Sequence, residues 1–194
     1  MSDEKKSVLR GPSLGYTDNF PRRKMWEDIA REMNGKFKIK HTAGHDIEIH
    51  NISIPYKNRN IEISVSDSRP LKFRISFSSR QDYELILSPE DFIERIFKKF
   101  RKPEIEAGWK EFDKKYLIKS NRSDLVKKTL TKEIQKALLE HDVYSLSYQS
   151  DHKSGTAELL SVIQRKAGEK ETNIQLIKMF KMLIDNLELA NVIK

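Results

Sequence analysis

Between residues 36 and 87, apolar and polar side chains alternate through five successive runs, and few folds accommodate that pattern. In KFKIK, Phe37 and Ile39 stand against Lys36, Lys38 and Lys40. In DIEIHNISI, Ile47 and Ile49 oppose Asp46, Glu48 and His50, and the run continues through Ile52 and Ile54. NIEISVS points Ile61, Ile63 and Val65 one way, and LKFRISFS separates Leu71, Phe73, Ile75 and Phe77 from Lys72, Arg74 and Ser76. DYELIL closes the block with Tyr83, Leu85 and Leu87. Successive side chains of a strand face opposite ways, so this alternation implies one buried and one wet face, and a mostly antiparallel sheet. PYKNRN and SDSRP carry the turn chemistry between strands.

Helical periodicity flanks this block. PRRKMWEDIAREMNG places Met25, Trp26, Ile29, Ala30 and Met33 on one face, with Asn34-Gly35 as its stop. SPEDFIERIFKKF reads as a second helix, with Ser88 suited to the cap, Pro89 to the first turn, and Phe92, Ile93, Ile96, Phe97 and Phe100 inward. Pro103 in RKPEIEAGWKE breaks it. The remainder reads as a strand KKYLIKS, a helix SDLVKKTLTKEIQKALLEH, a hairpin of VYSLSYQ and AELLSVIQRK around SDHKSGT, and a last helix near 171–190. The expected fold is α+β: an antiparallel β-meander packed by helices, followed by a smaller β-α-β-β-α half. Residues 1–20 are expected as a mobile arm, 21–102 as the first half and 103–194 as the second, sharing its core or forming one domain over 21–194.

Composition narrows the function classes. The chain of 194 residues has no cysteine, which excludes a disulfide framework, a thiol nucleophile and a Cys-ligated metal. The N-terminal MSDEKKSVLRGPSLGY lacks the apolar stretch of a secretory signal, and no run approaches the roughly 18 apolar residues of a membrane span. A soluble, cytoplasmic protein is expected. The net charge of +8 is concentrated: residues 95–140 hold 14 Lys/Arg against 7 Asp/Glu. Such a field can steer an anionic partner.

Candidate sites follow from these placements. Asp46, Glu48 and His50 share one strand face, with His41 and His45 nearby, a donor set of the type that holds a divalent cation. Neighbours two apart on a strand stand about 7 Å from one another, so a solvated polar face accounts for them, and neither a metal nor a cofactor is expected. No P-loop, G-x-S-x-G or G-x-G-x-x-G occurs, and no residue is nominated as catalytic. Lys36, Lys38, Lys40, Lys72 and Arg74 would line the wet face of the sheet. Nucleic acid or another polyanion could track them, but Phe73 and Phe77 are in phase with the core, leaving no stacking aromatics.

Around the second-half strand, Lys114, Lys115, Lys119, Asn121 and Arg122 are the candidate anion contacts. Ser123 or Asn121 is expected to cap the helix that follows, with Asp124 in its first turn. In the last helix Ile174, Leu176, Ile177, Met179, Phe180, Met182, Leu183, Ile184 and Leu187 cover more than one stripe, so it is buried on two sides. That cover comes either from the chain's own core or from a second copy. Leu176, Met179, Phe180, Leu183 and Leu187 are the candidates for self-association, and a protein partner or homodimer is the leading expectation for function. Binding of an anionic ligand or nucleic acid through the basic 95–140 surface is the alternative.

The W-x-x-I-A-x-x-x-N-G pattern at 26–35, the polar meander and FDKKYLIKSNRSDLVKKTLTKEI at 112–134 resemble a loose family of bacterial proteins of unknown function. The resemblance implies an N-terminal helix and sheet preceding an FD-x-x-[FY]-x-[VI] strand and a helix. Some of those proteins look membrane-tethered; this chain lacks their hydrophobic segments. The resemblance implies no activity and no binding residue.

Overall fold

Alternation becomes architecture through register. A computed structural model describes residues 20–42, 47–66, 68–89, 103–151, 153–164 and 169–194. Strands β1 (Lys36–His41), β2 (Glu48–Tyr56), β3 (Arg59–Ser66) and β4 (Leu71–Ser78) form the expected meander. They are followed by β5 (Glu84–Ser88), β6 (Leu117–Ser120), β7 (Val143–Asp151) and β8 (Thr156–Ile163). All eight join in one antiparallel sheet, ordered β1-β2-β3-β4-β8-β7-β5-β6. The helices are α1 (Phe20–Glu32), α2 (Lys110–Lys115), α3 (Ser123–Thr129), α4 (Lys132–Glu140) and α5 (Lys170–Leu189). The fold is α+β. The helix expected over 88–100 lies almost wholly outside the described residues, as does the N-terminal arm.

The meander does not run on into β5. The β7–β8 hairpin inserts between them, with β8 on β4 and β7 on β5, so residues 79–83 carry the chain across two strands. That crossing is anchored by Ser79 N–H on Gly155 O at 2.9 Å and Arg80 N–H on Val192 O at 2.8 Å.

Helix α1 ends where the Asn-Gly pair predicts, with the two residues doing different work. Asn34 takes the left-handed conformation at φ 54. Its N–H bonds Arg31 O at 3.2 Å and that of Gly35 bonds Ala30 O at 2.7 Å, closing the last turn. Gly35 is needed for proximity: a Cβ there would lie 2.6 Å from Ser53 O. The helix thereby hands the chain into β1 against β2 without a gap.

Three local expectations are corrected. KKYLIKS is not all strand: Lys114 and Lys115 end α2, and β6 begins only at Leu117. The Asp113 carboxylate accepts the Ala107 and Gly108 N–H groups at 2.7 and 2.9 Å, which winds this segment into a short helix over buried Phe112. The long helix from Ser123 is two helices, broken at Leu130-Thr131. There the Asn186 amide donates to Thr129 O and Gln135 donates to Leu130 O, satisfying carbonyls that a continuous helix would have used itself. Neither Asn121 nor Ser123 caps α3. Its cap position is Arg122, which has no side-chain cap bond, and the Arg122 N–H goes back to Ser120 Oγ at 3.1 Å.

The fourth correction concerns β2. Ile52 pairs with Ile63 and Ile54 with Ile61, which puts the even-numbered residues toward the helices. With no bulge in the pairing, Glu48 and His50 share that inner face and Ile49 turns outward. Glu48 is 6% exposed and His50 2%. A solvated Glu48–His50 face does not exist in this fold.

Candidate binding surfaces

One face of the sheet is sealed. Trp26, Ile29 and Ala30 of α1 and the apolar arc of α5 pack onto Ile52, Ile54, Ile63, Phe73 and their neighbours. The Phe73 and Phe180 ring centroids stand 5.5 Å apart across that layer. Leu176, Met179, Phe180, Leu183 and Leu187 are each at most 2% exposed within this single chain. Of the two covers expected for α5, the chain's own core supplies one, since α1, α3 and α4 lie on its second side, and these five residues keep no exposed surface for self-association.

The opposite face is open over β1 to β4. Lys36, Lys38, Lys40, Glu62, Lys72, Arg74, Ser76 and Ser78 are exposed there, with Asn51, Ser53 and Ser64 half-buried between them. Register aligns them in rows: Lys38, Asn51, Ser64 and Lys72 in one, Lys36, Ser53, Glu62 and Arg74 in the next. Glu62 accepts from Ser53 Oγ at 2.6 Å, and Arg74 pairs with Glu158 of β8 at 3.2 Å. Lys36, Lys38, Lys40 and Lys72 meet no carboxylate among the described residues. Phe73 and Phe77, at most 4% exposed, sit on the sealed face, so the open one offers no aromatic platform for bases.

Two of the six basic residues in the 112–130 stretch, Lys115 and Arg122, are held in ion pairs among the described residues. Lys115 bonds Asp142 at 2.7 Å and lies over the Tyr116 ring. Arg122 grips Asp124 through two bonds of 2.8 and 2.9 Å, which raises its pKa and lowers that of Asp124. The Asn121 side chain accepts the Glu84 N–H at 2.8 Å and so ties β6 to the start of β5. Lys114 is exposed and, with Glu106, Gly108, Lys110 and Asp113, lines an open depression of about 410 Å³. Of its two carboxylates, Glu106 and Asp113, the latter already accepts the backbone N–H groups of Ala107 and Gly108. Lys119, opposite buried Ile86, is half-buried on the same side of the sheet as Arg74, at the far edge.

Sequence reasoning missed a buried charge network. Arg23, from the first turns of α1, holds both Glu48 oxygens with its Nε and Nη2. His50 Nε2 lies 2.6 Å from Glu48 Oε1, and His41 Nε2 lies 3.9 Å from Glu48 Oε2. Burial alone would raise the Glu48 pKa, but the hydrogen bonds from Arg23 and His50 outweigh it and hold the carboxyl down to about 2. Such a carboxylate neither picks up nor releases protons near neutrality. The network pins α1 to the β1–β2 end of the sheet. No group of three His, Asp or Glu comes together as a metal site among the described residues, and His45 and Asp46 lie outside them. A clue was available in the two-residue spacing of Glu48 and His50 from Ile52 and Ile54.

No protein-family model and no curated protein matches the chain. A solved structure does: the mycobacterial trehalose monomycolate transport factor A, TtfA, with a TM-score of 0.53 over 88% of this chain and 97% of that one. Identity is 8%, so the likeness is one of fold. No described helix is long and apolar enough to cross a membrane.

Proposed function

We propose that this protein is a non-catalytic binding module that holds an acidic polypeptide against the open face of its sheet. The observation that carries the reading is the lysine face itself: Lys36, Lys38, Lys40 and Lys72 aligned by register on an uncovered surface, without carboxylate partners among the described residues. Support also comes from what surrounds it. The apolar arc that suggested a dimer is consumed by the core, and in the second-half cluster Lys115 and Arg122 are paired internally while Asn121 is spent on the Glu84 backbone. Anion attraction on an exposed surface is screened within about 8–10 Å at physiological salt, so affinity must fall as salt rises.

The test is binding of poly-glutamate, measured between low and physiological salt, to the wild type and to a Lys38→Glu/Lys72→Glu variant. The reading expects salt-sensitive binding that the charge reversal weakens at least tenfold. Unchanged affinity in the variant, or no binding at low salt, overturns it. Duplex DNA binding more tightly than poly-glutamate at matched salt would replace the acidic polypeptide with nucleic acid as partner.

A further inference from the structure

Resting on that reading, the geometry of β1 points to how the partner is held: we infer that β1 is a docking edge for an extended segment in which acidic and apolar residues alternate. Among the described residues, strand β1 is hydrogen-bonded to β2 alone and lies at one end of the sheet. The direction of its backbone groups follows from the pairing. Thr42 N–H donates to Ile47 O at 3.0 Å, and 42 and 47 continue the register in which Lys40 faces Ile49 and Lys38 faces Asn51. In an antiparallel ladder hydrogen-bonded and non-bonded pairs alternate. The even residues 36, 38 and 40 therefore turn their N–H and C=O groups toward β2. Phe37 and Ile39 turn theirs away from the sheet, where a further strand would lie.

Side chains on this edge are sorted by the same parity. Lys36, Lys38 and Lys40 stand on the open face. Phe37, opposite Ile52, and Ile39, opposite His50, stand on the helix-covered face. Ile39 is 37% exposed, among the few large apolar side chains left in water. A strand laid beside β1 places its own side chains directly opposite these, with Cβ atoms about 4.5–5.5 Å apart. Carboxylates at every second position, about 7 Å apart along that strand, would then face the three lysines in turn. The residues between them would cover Ile39 and Phe37. The backbone supplies the affinity of such an addition and the alternating side chains its selectivity.

Charge also decides against a second copy of this chain as the occupant. Two β1 strands paired with their open faces aligned would set lysine against lysine, and like charges directly opposite are destabilising. Edge lysines commonly protect a sheet from unwanted pairing. That protection excludes neutral and basic strands and admits one whose carboxylates come in the matching phase.

The experiment compares two nine-residue peptides of one composition: glutamate alternating with valine, and the same residues with the glutamates in one block. Both are titrated into the wild-type protein and into Ile39→Pro, with poly-glutamate as a third ligand. Proline at 39 removes an outward N–H, at a position where sheets tolerate it, together with the Ile39 side chain that the partner would cover. The variant thus withdraws both contacts of edge docking and leaves the lysines in place. The inference expects the alternating peptide to bind at least tenfold more tightly than the blocked one. It expects Ile39→Pro to abolish that preference while poly-glutamate binding persists. In the wild type, amide exchange at Phe37 and Ile39 should slow at least tenfold on adding the alternating peptide, a readout that stands even if the variant does not fold.

Equal affinity for the two peptides, or unchanged exchange at 37 and 39, overturns edge docking and leaves the anionic-face reading intact. Loss of all acidic binding, poly-glutamate included, overturns both. A dimer through β1, seen by light scattering together with slowed exchange at 37 and 39 without peptide, overturns the partner assignment.

Discussion

The two edges of the sheet are handled in opposite ways. At β6 the chain covers its own edge: Ile105 N–H bonds Ile118 O at 2.9 Å, and Glu104 bridges to Lys119. That strand is four residues long and flanked by short helices. At β1 a six-residue strand without a bulge is left uncovered by any described strand and carries lysine at every second position. Unpaired edges invite association, and proteins cover, shorten or charge them. This protein covers and shortens one edge and only charges the other. A charged edge stays selective where a covered one is closed, and the proposed docking at β1 rests on that difference.

The comparison can be broken most severely at the network that seats β1. Glu48→Gln leaves Arg23 and His50 around a neutral amide in a buried site and should cost about 3 kcal/mol in denaturant unfolding at pH 7. The pH dependence follows from the lowered pKa. Stability from this carboxylate is fully present above the usual value of 4.5 and is lost as pH falls toward about 2. An acid titration of stability should show that loss in the wild type and its absence in the variant.

Gly35→Ala acts next. Its Cβ would meet the backbone oxygen of Ser53 at 2.6 Å, an atom that cannot swing aside, so α1 and β1 must shift. A loss of about 1–3 kcal/mol, read as a lower Tm, is expected. At the opposite edge, Ile105→Pro removes the hydrogen bond that covers β6 and should cost about 1 kcal/mol. Its exposed Ile118 carbonyl should make the variant more prone to aggregate, measured by light scattering on heating, whereas β1 needs no such cover. The smallest effect belongs to Lys38→Glu, an exposed residue whose replacement should change stability by less than about 0.5 kcal/mol. If Lys38→Glu instead destabilises as much as Gly35→Ala, the lysines are structural and the contrast between the edges fails.

Legibility differed from element to element for physical reasons. In β3 and β4 each strand has one apolar parity, so Ile61, Ile63, Val65 and Leu71, Phe73, Ile75, Phe77 could be assigned to the core directly, and all are buried. In β2 the apolar residues change parity, from Ile47 and Ile49 to Ile52 and Ile54, so local alternation pointed both ways. Only pairing with Ile61 and Ile63 selected the face, and with it the burial of Glu48 and His50. The break at Leu130 was invisible for a similar reason. Leu130 continues the helical apolar pattern, and the amide that satisfies the freed Thr129 carbonyl comes from Asn186, in another helix. The lysines of the open face were legible from alternation; the nominated cluster at 114–122 was legible as charge but not as paired charge.

By itself the sequence determined the α+β class, the wet lysine parity of β1 and β4, and the burial of a doubly apolar last helix. These are properties of period and composition, set by neighbours a few residues apart. Tertiary structure decided what covers that helix, where Glu48 finds Arg23, and which strands become edges. Each depends on pairings between residues tens of positions apart, and an edge is defined by the absence of a neighbour, which no local pattern encodes.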